Sequence, residues 1–245
     1  MPIFQAKNIA QSYEGQAVID DISIQLEKNE IACLIGTSGV GKTTLFQILS
    51  GLHQPTMGHV LLDGHDITGQ AGKVSYMLQK DMLLPYRTIE DNIALPLIIK
   101  GMSKKKARIK VNSYFDQFGL SGTQKKYPSQ LSGGMRQRAA LLRTYLFSNK
   151  VALLDEPFSA LDALTKHEMH QWYLSIMQKI ELATLFVSHD IDEAIYLSDK
   201  VYVMAGSPGR IVKEIPIIRA LQDRDAFSLS PQFLMYKKQL LSYLQ

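Results

Sequence analysis

Two textures of apolar and polar positions alternate along the 245 residues. Residues 1–30 change from polar to apolar nearly every position, as in Ile3-Phe4-Gln5-Ala6 and Ile22-Ser23-Ile24-Gln25-Leu26. A period of two predicts antiparallel strands with one wet face. Four later runs are continuous and apolar: Ile31-Ala32-Cys33-Leu34-Ile35, Val151-Ala152-Leu153-Leu154, Ala183–Ser188 and Val201–Met204. Such runs, separated by helical stretches, predict a parallel sheet covered on both faces. Shorter strands are expected at Gly58–Gly64 and Val74–Leu78. From Met82 to Tyr145 the period becomes helical. Ile89–Ile99 is apolar but broken at Pro96, Lys104–Phe118 is polar with apolar residues at helical intervals, and Met135–Tyr145 follows with Ser132 as its cap. This block reads as a helical subdomain inserted into an α/β chain. In the tail, Phe233, Tyr236, Lys237, Leu240, Leu241 and Leu244 form a helical stripe expected to pack on its own subunit.

Composition changes this picture little. A chain of this length buries nearly three-quarters of its unfolded surface and needs no disulfide or metal staple. Hydrophobic content of 46% and charged content of 20% are those of an ordinary globular protein. The single cysteine, Cys33, lies inside an apolar strand, which predicts a packing role and a reducing compartment. No signal-peptide pattern opens the chain, and no run of 18 apolar residues crosses a membrane.

Charge is uneven. The overall excess is +4, yet Lys100, Lys104, Lys105, Lys106, Arg108, Lys110, Lys125 and Lys126 face only Asp116 between residues 100 and 126. Three readings stay open for that stretch: a solvated helix face, a surface for anionic lipid headgroups, or nucleic acid. The last is the weakest, because Tyr114, Phe115 and Phe118 recur at helical spacing instead of interleaving with the charges.

The strongest chemical signal is Gly36-Thr37-Ser38-Gly39-Val40-Gly41-Lys42-Thr43-Thr44, between an apolar strand and the helical start Leu45–Leu49. Strand, glycine-rich turn and helix are the setting of a phosphate-binding loop. Glycines let backbone N–H groups turn toward phosphate oxygens, and the helix adds its positive end. Lys42 can reach the β- and γ-phosphates, and the Thr43 hydroxyl can join the Mg²⁺ shell. The Gly-x4-Gly-Lys-Ser/Thr spacing arises by chance in roughly one such chain in a hundred. Val151–Leu154 runs into Asp155 and Glu156, at the carboxyl end of a buried strand where α/β sheets place ligand groups. Asp155 can hold Mg²⁺ through its water shell, and Glu156 can polarise an attacking water. Tyr13 is either a turn aromatic or a platform for adenine. His189, ending another strand, is either structural or a donor to a γ-phosphate.

These motifs, in this order, resemble the ATP-binding subunits of ABC transporters over about Ile3–Ile215: Tyr13, the Gly36–Thr44 loop, Gln79, the signature Leu131-Ser132-Gly133-Gly134-Met135, Val151–Glu156, Ser159-Ala160-Leu161-Asp162 and His189. The resemblance implies a P-loop NTPase core with a parallel sheet, an N-terminal antiparallel β subdomain and an inserted helical subdomain. It places the core at 1–81 and 146–215, the helical subdomain at 82–145 and a helical tail at 216–245. It further implies that Tyr13 stacks adenine and that Gln79 touches Mg²⁺ or the attacking water. By the same resemblance His189 senses the γ-phosphate. Ser132, Gly133 and Gly134 would complete the ATP pocket of a second copy, with Asp162 at that interface. Met135, where many relatives carry Gln, removes a polar contact near the ribose.

Met82–Asn92, with Leu95-Pro96-Leu97 and Ser207–Ile211, is similar to the importer group for nitrate, sulfonates, taurine and thiamine-precursor pyrimidines. The implied protein is a Mg²⁺-dependent ATPase, peripheral at the cytoplasmic face of the membrane. It would pair head to tail with a second copy, dock on separate permease subunits, and serve a solute-binding protein indirectly. The stretch after Met204 is expected to be too short for the regulatory domain of sugar-type importers. A soluble ABC-type ATPase acting in assembly or scaffolding is the alternative. Nucleic acid is not an expected partner, because ABC proteins that act on it carry two such units or a long coiled-coil insertion. His167-Glu168-Met169-His170 suggests a metal pair, but it is expected to be helix surface.

Overall fold

A computed structural model describes residues 1–148, 150–220 and 223–244. Contacts group the chain into two units, Met1–Lys73 with Ala183–Gln245, and Val74–Leu182.

In the first unit, β1 (Phe4–Tyr13) pairs antiparallel with β2 (Gln16–Leu26) in the register Phe4↔Leu26, Ala6↔Ile24 and Ile9↔Ile22. All six of those side chains are buried, so the alternation seen in the sequence is the wet and dry faces of one sheet. β4 (Met57–Leu62) covers the other edge of β1, and β5 (His65–Asp66) closes the sheet. A second sheet is built on β3 (Ile31–Gly36), buried at every position. Its neighbours β8 (Ala183–Ser188) and β9 (Lys200–Ala205) are both parallel to it, and β10 (Arg210–Pro216) runs antiparallel along β9. Cys33 lies in β3, completely buried; burial, helped by the Glu193 charge, pushes its thiol pKa well up.

α1 (Lys42–Leu49) follows β3, and α6 (Ile191–Leu197) follows β8. The tail forms α7 (Arg224–Ser228) and α8 (Pro231–Leu244). Phe233, Tyr236 and Leu240 of the expected stripe are buried, whereas Leu241 is exposed. Two arginines add a polar grip. Arg219 donates to the carbonyls of Ile195 and Ser198, and Arg224 to those of Tyr196 and Leu197, satisfying the open carboxyl end of α6. Burial and the neighbouring Arg224 charge push the Arg219 guanidinium down to about 10.

In the second unit, β6 (Ser75–Met77) pairs parallel with β7 (Val151–Asp155). Helices α2 (Ile89–Ile99), α3 (Lys104–Asn112), α4 (Gly133–Phe147) and α5 (Ala163–Met177) supply the rest. Two expectations fail in detail. Pro96 does not break α2, although it removes one helical donor, because Ile93, Ala94 and Leu97 around it are buried and hold the helix. α3 stops at Asn112 instead of reaching Phe118. Ser113 turns its hydroxyl onto the Lys110 carbonyl, the kind of local bond that competes with helix, and the chain continues in turns to Gly119 at φ 65°. Among the described residues no helix is long and apolar enough to cross a membrane.

The basic stretch is less bare than its own composition suggests. Arg108 donates two bonds of 2.8 Å to the Asp91 carboxylate, and Lys104 lies 3.2 Å from it. The buried Glu90 pairs with Arg108 at 3.3 Å and with Lys125. Three of the eight cations thus answer acids of the preceding helix. The bonds from Arg108 hold the Asp91 carboxyl below the usual range. A depressed carboxyl stabilises the fold above the unfolded value near 3.9, and that contribution fades as pH falls. Asp91→Asn should therefore cost about 1–2 kcal/mol at pH 7, or roughly 2–4 °C of Tm per kcal/mol. The gap between parent and variant should close below about pH 4 as the parent's carboxyl protonates. Thermal unfolding across pH tests this, and a gap that stays constant down to pH 2 counts against it.

Candidate active site

In the first unit the parallel register does the assembling. β3 pairs with β8 so that Ile35 faces Ser188, and with β9 so that Gly36 faces Met204. The Gly36–Thr44 loop and His189 therefore leave adjacent strands at the same carboxyl edge. His189 is exposed there. The next residue, Asp190, caps α6 by accepting from the backbone N–H groups of Asp192 and Glu193.

The loop is shaped for close approach. A Cβ on Gly36 would lie 2.4 Å from the Met204 carbonyl oxygen, so only glycine fits against β9. Gly41, at φ 107°, caps α1, and a Cβ there would lie 2.4 Å from Ile19 Cγ2. Lys42 Nζ donates to the carbonyls of Gly36 and Thr37, 2.8 Å each, so its ammonium curls back over the loop it opens from. A loop with crowded glycines, a helix N-terminus behind it and a lysine folded over its mouth fits a polyphosphate with its counter-ion. Thr37, Ser38, Gly39 and Thr43 lie exposed in the loop as the sequence expects. Val40 is buried beneath it, and the half-buried Thr44 leads into the buried Leu45 and Phe46 of α1. Tyr13 closes β1 with its ring 42% exposed and its hydroxyl 3.3 Å from His53 Nδ1. The exposed ring is available for stacking, and His53 is a neighbour that no motif pointed to.

In the second unit β6 and β7 end together. Gln79 Nε2 donates to Glu156 Oε2 at 2.9 Å, and the Tyr76 hydroxyl donates to Asp155 Oδ2 at 3.3 Å. Burial, then the Asp155 charge, pushes the Tyr76 phenol pKa up. Glu156 sits at φ 46°, a left-handed conformation that few non-glycine residues adopt. Ser159 fixes the turn by donating its hydroxyl to the Glu156 carbonyl at 3.0 Å. Strain of this kind persists where surroundings impose it, and it gathers at working sites.

Ser132 is the cap of α4, accepting from Met135 N at 3.3 Å, as the sequence expects. Gly133 and Gly134 open the helix, so donor N–H groups point out of its N-terminus. Arg136 donates to the Leu131 carbonyl and to Asp81 Oδ2 at 3.2 Å. Arg143, its pKa lowered by burial, donates to the carbonyls of Asp81 and Met82. The signature helix is thus bolted to the segment that follows Gln79. Asp162 caps α5 through Thr165 N at 3.1 Å, and hydrogen bonding from the Thr165 hydroxyl, then from its N–H, lowers the Asp162 carboxyl pKa. His167 is exposed, but His170 is not helix surface. It is buried edge-on against Phe158 at 4.9 Å, which corrects the expectation for that residue. Among the described residues no group of three His, Cys, Asp or Glu could hold a metal ion unaided.

A glycine loop of this build on a parallel strand, in an α/β chain that also carries paired acids and a serine–glycine helix start, defines a nucleoside triphosphatase of the ATP-binding-cassette class. The chain belongs to the ABC transporter family, whose model matches residues 19–159, and it is a Mg²⁺-dependent ATPase. It is 46% identical over 205 residues to the formylaminopyrimidine import ATP-binding protein of Halalkalibacterium halodurans, covering 84% of this chain and 80% of that one. It is 37% identical over 199 residues to the nitrate import ATP-binding protein of Synechocystis sp., covering 81% and 75%. Among solved structures, a dimeric ATP-binding cassette in a post-hydrolysis state, bound to ADP and Pi, matches with a TM-score of 0.73 and 25% identity, over 88% of this chain and 99% of that one. The expected α/β fold, with its antiparallel β subdomain and inserted helices, is the fold found.

The two loop glycines make separable demands. A Cβ added to Gly39, at φ 80°, would meet nothing within 4 Å, whereas Gly41 has both the positive φ and the Ile19 clash. Gly39→Ala should cost about 1–2 kcal/mol from backbone strain alone. Gly41→Ala should cost about 1–3 kcal/mol more from overpacking. Urea unfolding of both variants checks the order, and equal losses would remove the clash as a cause.

Proposed function

We propose that this chain is the ATP-hydrolysing subunit of an ABC importer, powering uptake of a small solute through separate permease subunits. The observation that carries the reading is its 46% identity to a protein named for formylaminopyrimidine import. The solute is of that pyrimidine type, or nitrate, a sulfonate or taurine, and a solute-binding protein delivers it. The subunit works at the cytoplasmic face of the membrane without spanning it.

In this reading the Gly36–Thr44 loop wraps the ATP phosphates, Lys42 leaves the Gly36 and Thr37 carbonyls for phosphate oxygens, and Tyr13 stacks on adenine. Thr43, Asp155 and Gln79 hold Mg²⁺, which when bound offsets phosphate charge as ADP departs. Glu156 accepts the proton of the attacking water, and His189 donates to the γ-phosphate. Ser132, Gly133 and Gly134 of a second copy close over the same nucleotide, with Asp162 at that contact. That the similar solved cassette in a post-hydrolysis state, bound to ADP and Pi, is a dimer supports pairing with a second copy.

Docking on the permease falls to the second unit. The side chain of the fully buried Asn92 accepts from Leu84 N at 2.6 Å and donates to the carbonyls of Leu84, Arg87 and Thr88 at 3.1 Å each. One side chain thereby holds the Leu84–Thr88 loop in shape and presents Tyr86, 72% exposed. A groove of about 340 Å³ nearby in sequence is lined by Leu97, Tyr114, Tyr145 and Phe147 together with Lys100 and Lys110. A groove that mixes aromatic and aliphatic side chains with two lysines suits a short permease helix.

Two outcomes test the reading. Glu156→Gln should bind ATP, lose at least about 100-fold in turnover, and run as a dimer on a sizing column at saturating ATP. A variant that stays monomeric there would sink the shared-site model. Tyr86→Ala should leave basal ATPase activity unchanged and lower permease-dependent transport by about tenfold, the loss of one well-buried aromatic contact. Unaltered transport in reconstituted vesicles would remove this loop from the docking surface.

A further inference from the structure

Tyr76 of β6 and Gln79, two residues past that strand, contact the last residue of β7 and the acid that follows it. Its register sets Tyr76 opposite Leu153 and Met77 opposite Leu154. Side chains two apart on a strand share a face, so Tyr76 and Asp155 point to the same side, Asp155 two residues beyond Tyr76's partner. A phenol spans that offset where a shorter side chain would not. Its O–H reaches Asp155 Oδ2 at 3.3 Å, and Gln79, three residues on, reaches Glu156 Oε2 at 2.9 Å. An ionised carboxylate can only accept, so Tyr76 and Gln79 are the donors and Asp155 and Glu156 the acceptors. Tyr76 and Asp155 are both half-buried, which shields the contact from competing water.

We infer that Tyr76 is a positioning residue for the reaction: by holding one oxygen of Asp155 it fixes the rotation of the carboxylate that takes part in the Mg²⁺ shell. This rests on the metal role proposed above for Asp155. A carboxylate whose rotation is fixed presents the same oxygen to the metal's water shell throughout. Ligating carboxylates held by an outer hydrogen bond bind metal tighter by about 10–100-fold than those without one. The effect is on the metal and on the rate, not on nucleotide capture, because the phosphate loop belongs to other residues.

The test uses the full chain and Mn²⁺ as the spectroscopic probe, titrated by electron paramagnetic resonance with a non-hydrolysable ATP analogue present. Tyr76→Phe keeps the ring and removes the hydroxyl. It should weaken Mn²⁺ binding about tenfold, lower kcat in proportion, and leave the KM for ATP within about twofold. In an Asp155→Asn background, adding Tyr76→Phe should change Mn²⁺ binding no further, because the hydroxyl acts through that carboxylate. Unchanged Mn²⁺ affinity in Tyr76→Phe, or a loss that adds in full to that of Asp155→Asn, overturns the assignment. The Asp155→Asn variant alone separates the two layers of argument. If it binds Mn²⁺ as the parent does, the metal role of Asp155 falls and this inference with it. If it fails to bind while Tyr76→Phe binds normally, only the positioning role falls.

Discussion

The parallel register of β3 between β8 and β9 is the constraint from which the nucleotide end of this molecule follows. Pairing Ile35 with Ser188 and Gly36 with Met204 sends the Gly36–Thr44 loop and His189 out of one edge at one height. A shift of one residue would turn every side chain of β3 to the other face and drive a glycine-only position into the β9 backbone. The strand is buried at all six positions, so packing on both sides resists such a slip. Tail and core are tied to the same frame. Asp199, just before β9, accepts from the N–H of Ile31 at 3.0 Å and also faces Arg219. The arginine grip on α6 therefore reaches the opposite end of the strand that feeds the loop.

The second unit is held by polar contacts of another kind. Backbone that leaves regular structure must find partners, and here side chains supply them: Asn92 for Leu84–Thr88 and Arg143 for Asp81 and Met82. Each links a segment with exposed, functional residues to a helix or strand with buried ones. Motion of α4 would therefore be felt at the segment after Gln79 through Arg136 and Arg143. The mechanical coupling is carried by directional bonds, whose loss leaves a buried donor or acceptor unpaired.

Structure is legible in this chain wherever residue type and geometry coincide. Continuous apolar runs mark β3, β7, β8 and β9 almost to the residue, and Ser132 is readable as a cap because a short hydroxyl side chain stands directly before a helical run. Gly36 and Gly41 are readable because a Cβ at either would strike its neighbours at 2.4 Å. What stays hidden depends on partners distant in sequence. Nothing local marks Tyr76 as a companion of Asp155, 79 residues away, or tells that Glu90 and Asp91 answer Lys125, Lys104 and Arg108. Pro96 reads as a break because the rule for an isolated helix ignores the burial that offsets the lost bond. His170 reads as surface because a histidine's burial depends on what packs above it, here Phe158.

The lone thiol has a practical corollary. Cys33 is walled inside β3 and its thiolate is suppressed, so maleimides and disulfide reagents will pass the native chain by. A cysteine placed at an exposed site would then be the sole reactive handle, letting fluorophores or spin labels report distances between two copies without first stripping the natural residue from the core.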